Sequence, residues 1–236
     1  MKRKRTYQIN CDMGESAGYD QQIMPFIDAC SIACGGHIGT VESMSKTIDL
    51  ALKNNVLIGA HPSYPDPDHF GRVELDIPDE ELIYSLQFQI RQLDDLCNAR
   101  SVKLHHIKAH GALYNKSAAH RETALLLAEA TKDFSHVPLF VPWNTKIHAV
   151  LSSLNRPFVL EAFADRRYDQ DGLLVNRKIE GSVLLDPHEI KLQIQSIHDS
   201  STVASLSGQM IEMYGNTFCI HGDNPNALKV LEALNS

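Results

Sequence analysis

Short apolar runs rich in β-branched residues recur along the chain and predict strands over 7–11, 30–34, 56–60, 104–108, 138–141, 158–163 and 217–220. The segments between them carry apolar residues at helical spacing. Over 78–100, Pro78 stands at a first-turn position, Asp79, Glu80 and Glu81 suit the positive end of a helix dipole, and Leu82, Leu86, Ile90, Leu93 and Cys97 repeat along one face. Asp186, Pro187 and Glu189 make a capping-box-like start for a helix with Ile190, Ile194 and Ile197 on one side. Asn224 and Pro225 open the last helix in the same manner, and further helices fit 40–54, 117–134 and 145–154. The stretch 202–214, with Ser207 and Gly208 at its middle, alternates as a small hairpin does.

Strands that alternate with helices pair in parallel through right-handed crossovers. Seven of them make either an open doubly wound sheet or a barrel, and no repeat, low-complexity tract or linker divides residues 1–236, which read as one domain. The polar residues favour the barrel. Strand one runs into Asn10, Asp12 and Glu15, strand two leads to His37, strand three to His61, strand four to Lys108 and His110, strand six to Glu161, Asp165 and Arg166, and the last to His221 and Asp223. A barrel enzyme gathers such strand ends in one pocket.

A single histidine after a strand is more often a satisfied turn or core residue. Four at equivalent places, joined by Asp12 and Asp165, favour one shared site that binds a metal, exchanges protons, or both. Gly35, Gly36 and Gly39 in ACGGHIGT (33–40) precede a Thr40 cap and can offer backbone amides to an anion, although tight turns alone also need glycine. HGDNP (221–225), ahead of the last helix, is a second such place, and no GxxxxGK[ST] loop is present. His105 and His106 lie in an alternating strand, one facing the core and the other the helical layer, while His120, His136, His148, His188 and His198 read as solvated. Trp143 either lines the pocket or packs its rim.

Apolar residues make up 43% of the 236 and charged residues 22%, the balance of a globular chain with a substantial core. The net charge is −7; Lys2, Arg3, Lys4 and Arg5 supply four of the 22 basic residues, leaving 18 against 29 acidic ones in the remainder. An acidic body argues against nucleic acid as a partner, and residues 1–6 read as a flexible basic head. With no signal-peptide pattern and no apolar run of membrane-spanning length, a cytoplasmic protein is expected, with no membrane partner. Cys11, Cys30, Cys34, Cys97 and Cys219 form no CxxC pair and read as free buried thiols; a nucleophilic Cys34 beside His37 is the lesser alternative.

Six ordered motifs carry a resemblance. NCDMGESAG (10–18), ACGGHIGT (33–40), GAHPSYPD with FGR (59–66, 70–72), KAHGALYN (108–115), EAFADRRY with DGLLVNR (161–168, 171–177) and CIHGDNPNA (219–227) resemble the LamB/YcsF family, the family of 5-oxoprolinase A-subunits, over nearly the whole chain. The resemblance implies a distorted seven-stranded (β/α) barrel, TIM-barrel-like, of the glycoside hydrolase and deacetylase type. It implies ATP-dependent opening of the lactam ring of 5-oxo-L-proline (pyroglutamate) to L-glutamate, with ATP and Mg²⁺ as co-substrate and the B- and C-subunits of the same enzyme as partners. Gly36, Ile38, Thr40 and Ala109 depart from the family's usual Phe, Ala, acidic residue and Pro, so the charged positions survive while their neighbours drift.

On that reading Asp12, His61, Lys108, His110, Asp165 and His221 are catalytic. His61 or His110 is the general base, oriented by Asp12 or Asp165, and Lys108 and Arg166 stabilise oxyanion or phosphate charge. Asn10, Glu15, Gly35, Gly36, His37, Arg166 and Asp223 are expected to bind substrate or phosphate. Two alternatives stand beside it. One is an ATP-independent, metal-dependent amide or acetyl hydrolase with Asp12, His61 and His110 as ligands; the other is a non-catalytic component that holds 5-oxoproline.

Overall fold

A computed structural model describes residues 5–16 and 18–235. Among them the strands are β1 (Gln8–Met13), β2 (Ala29–Ala33), β3 (Leu57–His61), β4 (His106–Ile107), β5 (Leu139–Pro142), β6 (Phe158–Phe163), the hairpin β7 (Thr202–Ala204) and β8 (Met210–Glu212), and β9 (Thr217–Cys219). β1 to β6 and β9 close a parallel barrel in which β9 pairs with both β6 and β1. The expected barrel is therefore present, and the expected hairpin lies outside it as an antiparallel pair, Thr202 opposite Glu212.

The helices among the described residues are α1 (Asp20–Ile23), α2 (Val41–Lys53), α3 (Asp79–Asn98), α4 (Gly111–Ala119), α5 (Arg121–Ala130), α6 (Lys146–Ser153), α7 (Pro187–Ser200) and α8 (Ala227–Asn235). Thr40 caps α2 reciprocally with Ser43, and Asp186 caps α7 by accepting from the His188 amide at 3.0 Å. Each cap satisfies amides that the first helical turn leaves without a partner.

Alternate residues of β1 divide between two environments. Ile9, Cys11 and Met13 join the buried apolar core, whereas Asn10 bonds Thr217 on the neighbouring β9 and Asp12 bonds Lys108, which follows β4. His106 is buried in that interior, stacked on Phe140 at 3.9 Å and bonded to Ser31. Because all seven strands are parallel, Asp12, His61 and Lys108 end at one rim.

Several expectations change. The fourth strand is two residues long, because after Ile107 the chain turns into α4 directly behind His110. The single helix expected over 117–134 is two, broken at His120, whose backbone is extended (φ −119°, ψ 126°). Arg5 is not part of a flexible head: its guanidinium reaches Asp28 at 2.7 Å and Asn235 at 3.0 Å, tying the first strand to α8, while Lys2, Arg3 and Lys4 lie outside the described residues. His148 and His198 are half-buried, the latter against Tyr7. All five cysteines are free and buried, and burial pushes the Cys34 thiol up to about 12, so it is no nucleophile. Among the described residues no helix is long and apolar enough to cross a membrane.

Candidate functional site

A cavity of about 490 Å³ opens at the carboxyl ends of the strands. Asp12, Glu15, His61, Lys108, His110 and His221 line its floor, Tyr114 and Phe163 its wall, and Arg72, Arg166 and Arg177 its mouth. Its size falls in the range that encloses small organic ligands.

Lys108 is the fixed cation of the floor. Its Nζ lies 2.9 Å from Asp12 Oδ1, 3.0 Å from Glu161 Oε1 and 3.1 Å from Cys219 Sγ, and the side chain is buried. Burial alone would lower the ammonium pKa; Asp12, Cys219 and Glu161 outweigh it and hold it well above its ordinary value. Lys108 is therefore a charge to be used, not a nucleophile.

His61 and His110 form the second feature. Carbonyl oxygens only accept, so His61 Nδ1 donates to the Lys108 carbonyl at 2.8 Å and His110 Nε2 to the Phe70 carbonyl at 2.9 Å. That fixes both tautomers and leaves His61 Nε2 and His110 Nδ1 facing each other at 2.9 Å. Two lone pairs at that distance repel unless a cation, a proton or a metal, lies between them. Burial alone would push both rings down. Asp12, whose Oδ2 stands 3.4 Å from His61 Nε2, raises His61 above its usual value, while His110 is held at about 4. A proton shared by the pair thus resides on His61.

The turn that supplies the Phe70 carbonyl is a strained one. Phe70 itself has φ +56°, a conformation sparsely populated outside glycine. Gly111, which starts α4, has φ +54°, and a Cβ on it would stand 2.5 Å from the Gly71 carbonyl oxygen, so only glycine lets this turn close over His110.

Asp12 and Glu15 have depressed carboxyl pKa values. Burial works against both, but His61 and Lys108 hold Asp12 down, and the neighbouring His110 and His37 hold Glu15 down. The ligand atoms that converge are Glu15 Oε1, His61 Nε2 and His110 Nδ1, at 2.9 to 3.7 Å from one another. Each imidazole has its other nitrogen anchored on a carbonyl, so this N₂O set fits a divalent cation. It differs from the expected Asp12, His61 and His110 set: Glu15 stands in the place expected of Asp12, and Asp12 converges instead with Cys219 and His221.

Other expected residues stand one layer back. His37 is buried, bridges Ser63 Oγ (3.1 Å) and Glu15 Oε1 (2.9 Å), and stacks on His110 at 3.7 Å. It positions Glu15 and does not face the cavity. Gly35 and Gly36 do not line it either: the Gly35 amide donates to Ile38 within its own turn, and a Cβ on Gly36 would meet Gln89 at 2.4 Å, so that turn serves packing. Asn10 lies beneath Lys108, bonded to Thr217.

Asp165 orients neither His61 nor His110. It accepts from His221 Nδ1 at 2.8 Å, from the His221 amide at 3.1 Å and from Asn224 at 3.1 Å. Asp223 lies on the rim, where Arg72 (2.7 Å) and Arg177 (3.0 Å) both bond its Oδ2. Trp143 packs on Tyr214 and His148, away from the cavity. Tyr114, Phe163, Arg72 and Arg177 are not among the expected site residues, although each lies in one of the motifs that carry the family resemblance, at 108–115, 161–168, 70–72 and 171–177.

The LamB/YcsF family model matches residues 7–236. A protein of Vibrio cholerae, described as the A-subunit of 5-oxoprolinase, is 39% identical over 97% of this chain and 96% of its own length. Its counterpart of the same description from Staphylococcus epidermidis is 37% identical over 96% and 92%. A lactam utilization protein from Thermus thermophilus, solved by crystallography, superposes with a TM-score of 0.90 at 34% identity, covering 98% of this chain and 95% of that one. By sequence along nearly its whole length and by fold, the chain belongs to the LamB/YcsF family.

Proposed function

We propose that this chain is the ring-opening component of an ATP-dependent 5-oxoprolinase, converting 5-oxo-L-proline to L-glutamate in the cytoplasm together with two partner subunits. Relatives named for 5-oxoprolinase support the substrate. The observation that carries the chemistry is the tautomer-locked His61–His110 pair beside the buried Lys108 ammonium, with Asp12 touching both.

A lactam carbonyl is a poor electrophile. Transfer of the γ-phosphoryl group of Mg·ATP to the lactam oxygen, on or with a partner subunit, activates the ring carbon and releases ADP. Water then adds to that carbon as its proton passes to the His61–His110 pair. The carbon–nitrogen bond breaks as the pair returns a proton to nitrogen, and a second water converts the resulting acyl phosphate to glutamate and phosphate. Lys108 stabilises the oxygen charge that develops during addition. Asp12 holds Lys108 and His61 in register, and Asp165 holds His221 on the same floor.

The test is glutamate release from 5-oxo-L-proline by the chain, with and without Mg·ATP and with and without both partner subunits. Release only when all are present, abolished by His110→Gln, is the expected result. Release by the chain alone without ATP overturns it. That outcome belongs to a second reading favoured by the convergent Glu15, His61 and His110 atoms, a metal-dependent amide hydrolase, in which a stoichiometric divalent cation would serve as the Lewis acid.

A further inference from the structure

The mouth of the cavity concentrates positive charge in a chain whose net charge is −7. Arg72 reaches it from the connection between β3 and α3, Arg166 and Arg177 from the connection between β6 and α7, and Lys178 lines it as well. Arg72 and Arg177 share a single oxygen, Asp223 Oδ2, at 2.7 and 3.0 Å. Two guanidinium groups on one carboxylate oxygen leave most of their donors without a partner of opposite charge, since each carries five N–H groups. Arg166 stands deeper, 6% exposed; its Nη2 donates to the Val175 carbonyl and its buried Nε has no hydrogen-bond partner. Arg166, Arg177 and His221 also line a second, smaller cavity of about 240 Å³, where Asp223 forms part of the wall.

We propose that Arg72, Arg166 and Arg177 form a phosphoryl-binding subsite, and that Asp223 fills it as an internal anion until a phosphorylated substrate displaces the carboxylate. A single carboxylate leaves this cluster with surplus cation. A phosphoryl group carries up to two charges and three acceptor oxygens, which match several arginine forks at once. The arrangement places an anion at the mouth and the carbon under attack at the floor, between Lys108 and the histidine pair. Part of the cavity is then left over for more than a five-membered lactam alone. The substrate class is a small acid carrying a phosphoryl group, delivered already activated. This deepens the ring-opening reading, but binding is measured without turnover, so its failure would leave the glutamate-release result intact.

The experiment is calorimetric titration of the purified full chain with inorganic pyrophosphate, and separately with 5-oxo-L-proline. Wild type, Asp223→Asn, Arg177→Met and Arg72→Met are compared, with Arg91→Met, on the far exposed pair with Asp133, as control. Melting curves establish that each variant is folded. Asp223→Asn should tighten pyrophosphate about tenfold, the effect of freeing one charge-assisted pair, while Arg177→Met and Arg72→Met weaken it by a similar factor and Arg91→Met does nothing. Tightening on loss of the acid, together with weakening in both arginine variants, is the result of a carboxylate that competes with the ligand; a carboxylate needed to hold the arginines in place would give weaker binding when removed. Unchanged or weaker pyrophosphate binding in Asp223→Asn overturns the proposal. So does arginine-dependent binding of 5-oxo-L-proline with none of pyrophosphate, which would make the mouth a carboxylate site.

Discussion

The floor and the mouth of the cavity are both built from charged side chains, yet they are opposite kinds of site. On the floor Lys108, Asp12, His61 and His110 are buried and sit at or just after strand ends, each held by fixed partners that include the Lys108 and Phe70 carbonyls. At the mouth the Arg72, Arg177 and Asp223 side chains are 40%, 30% and 39% exposed and project from loops. Buried charges are costly to unpair and so hold a fixed geometry; exposed pairs contribute little to stability and exchange partners readily. The floor suits chemistry and the mouth suits capture of a ligand.

The largest expected effect tests the floor. Lys108→Met leaves Asp12 and Glu161 buried around a lost counter-charge and should destabilise the chain by about 3–5 kcal/mol, read from denaturant midpoints. A loss below about 1 kcal/mol would mean that the floor is as loosely held as an exposed pair. Next in size, His61→Gln and His110→Gln should lower glutamate release by about 10²–10⁴-fold in the complete complex, with circular dichroism unchanged. Full activity in both would remove the pair from the mechanism.

Asp165 gives a smaller effect with a defined pH sign. Burial alone would raise its pKa, but His221 and Asn224 outweigh burial and depress it. A depressed acid contributes stability that is present above its unfolded value of about 3.9 and is lost as pH falls through the lower folded value. Asp165→Asn should therefore cost about 1.5–3 kcal/mol near neutral pH and almost nothing in strong acid, seen as a flatter curve of stability against pH.

Two finer outcomes sharpen the contrast. Glu15 is one of the carboxylates that raise His61, so Glu15→Gln should move the acid limb of the kcat/KM profile to lower pH, because the pair then sheds its proton sooner. A shift to higher pH would be inconsistent with the shared proton. Last, Arg177→Met should change stability by no more than about 0.5 kcal/mol, the ordinary range for an exposed position. A larger loss would place the mouth among the structural elements.

Much of the floor was legible in the chain. Asp12, His61, Lys108 and His110 follow directly on apolar runs, and parallel strands bring their ends together whatever lies between. Their partners were less so. Asp165 and His221 are 56 residues apart, and nothing in spacing shows that the acid orients this histidine and not His61. Glu15, and not Asp12, converges with His61 and His110, a choice between two nearby carboxylates that spacing does not make.

Hydrophobic periodicity by itself determined the seven strands, most of the helices and the rim at which the chemistry collects, because burial of alternating apolar faces acts locally along the chain. Tertiary structure alone decided which nitrogen of each histidine faces the cavity, through carbonyls of Lys108 and Phe70 that no residue type announces. It also decided the mouth, where Arg72 and Arg177 meet Asp223 across 151 and 46 residues. Loop residues carry no period, so their meeting is set by where the barrel ends the strands and not by any pattern within the loops.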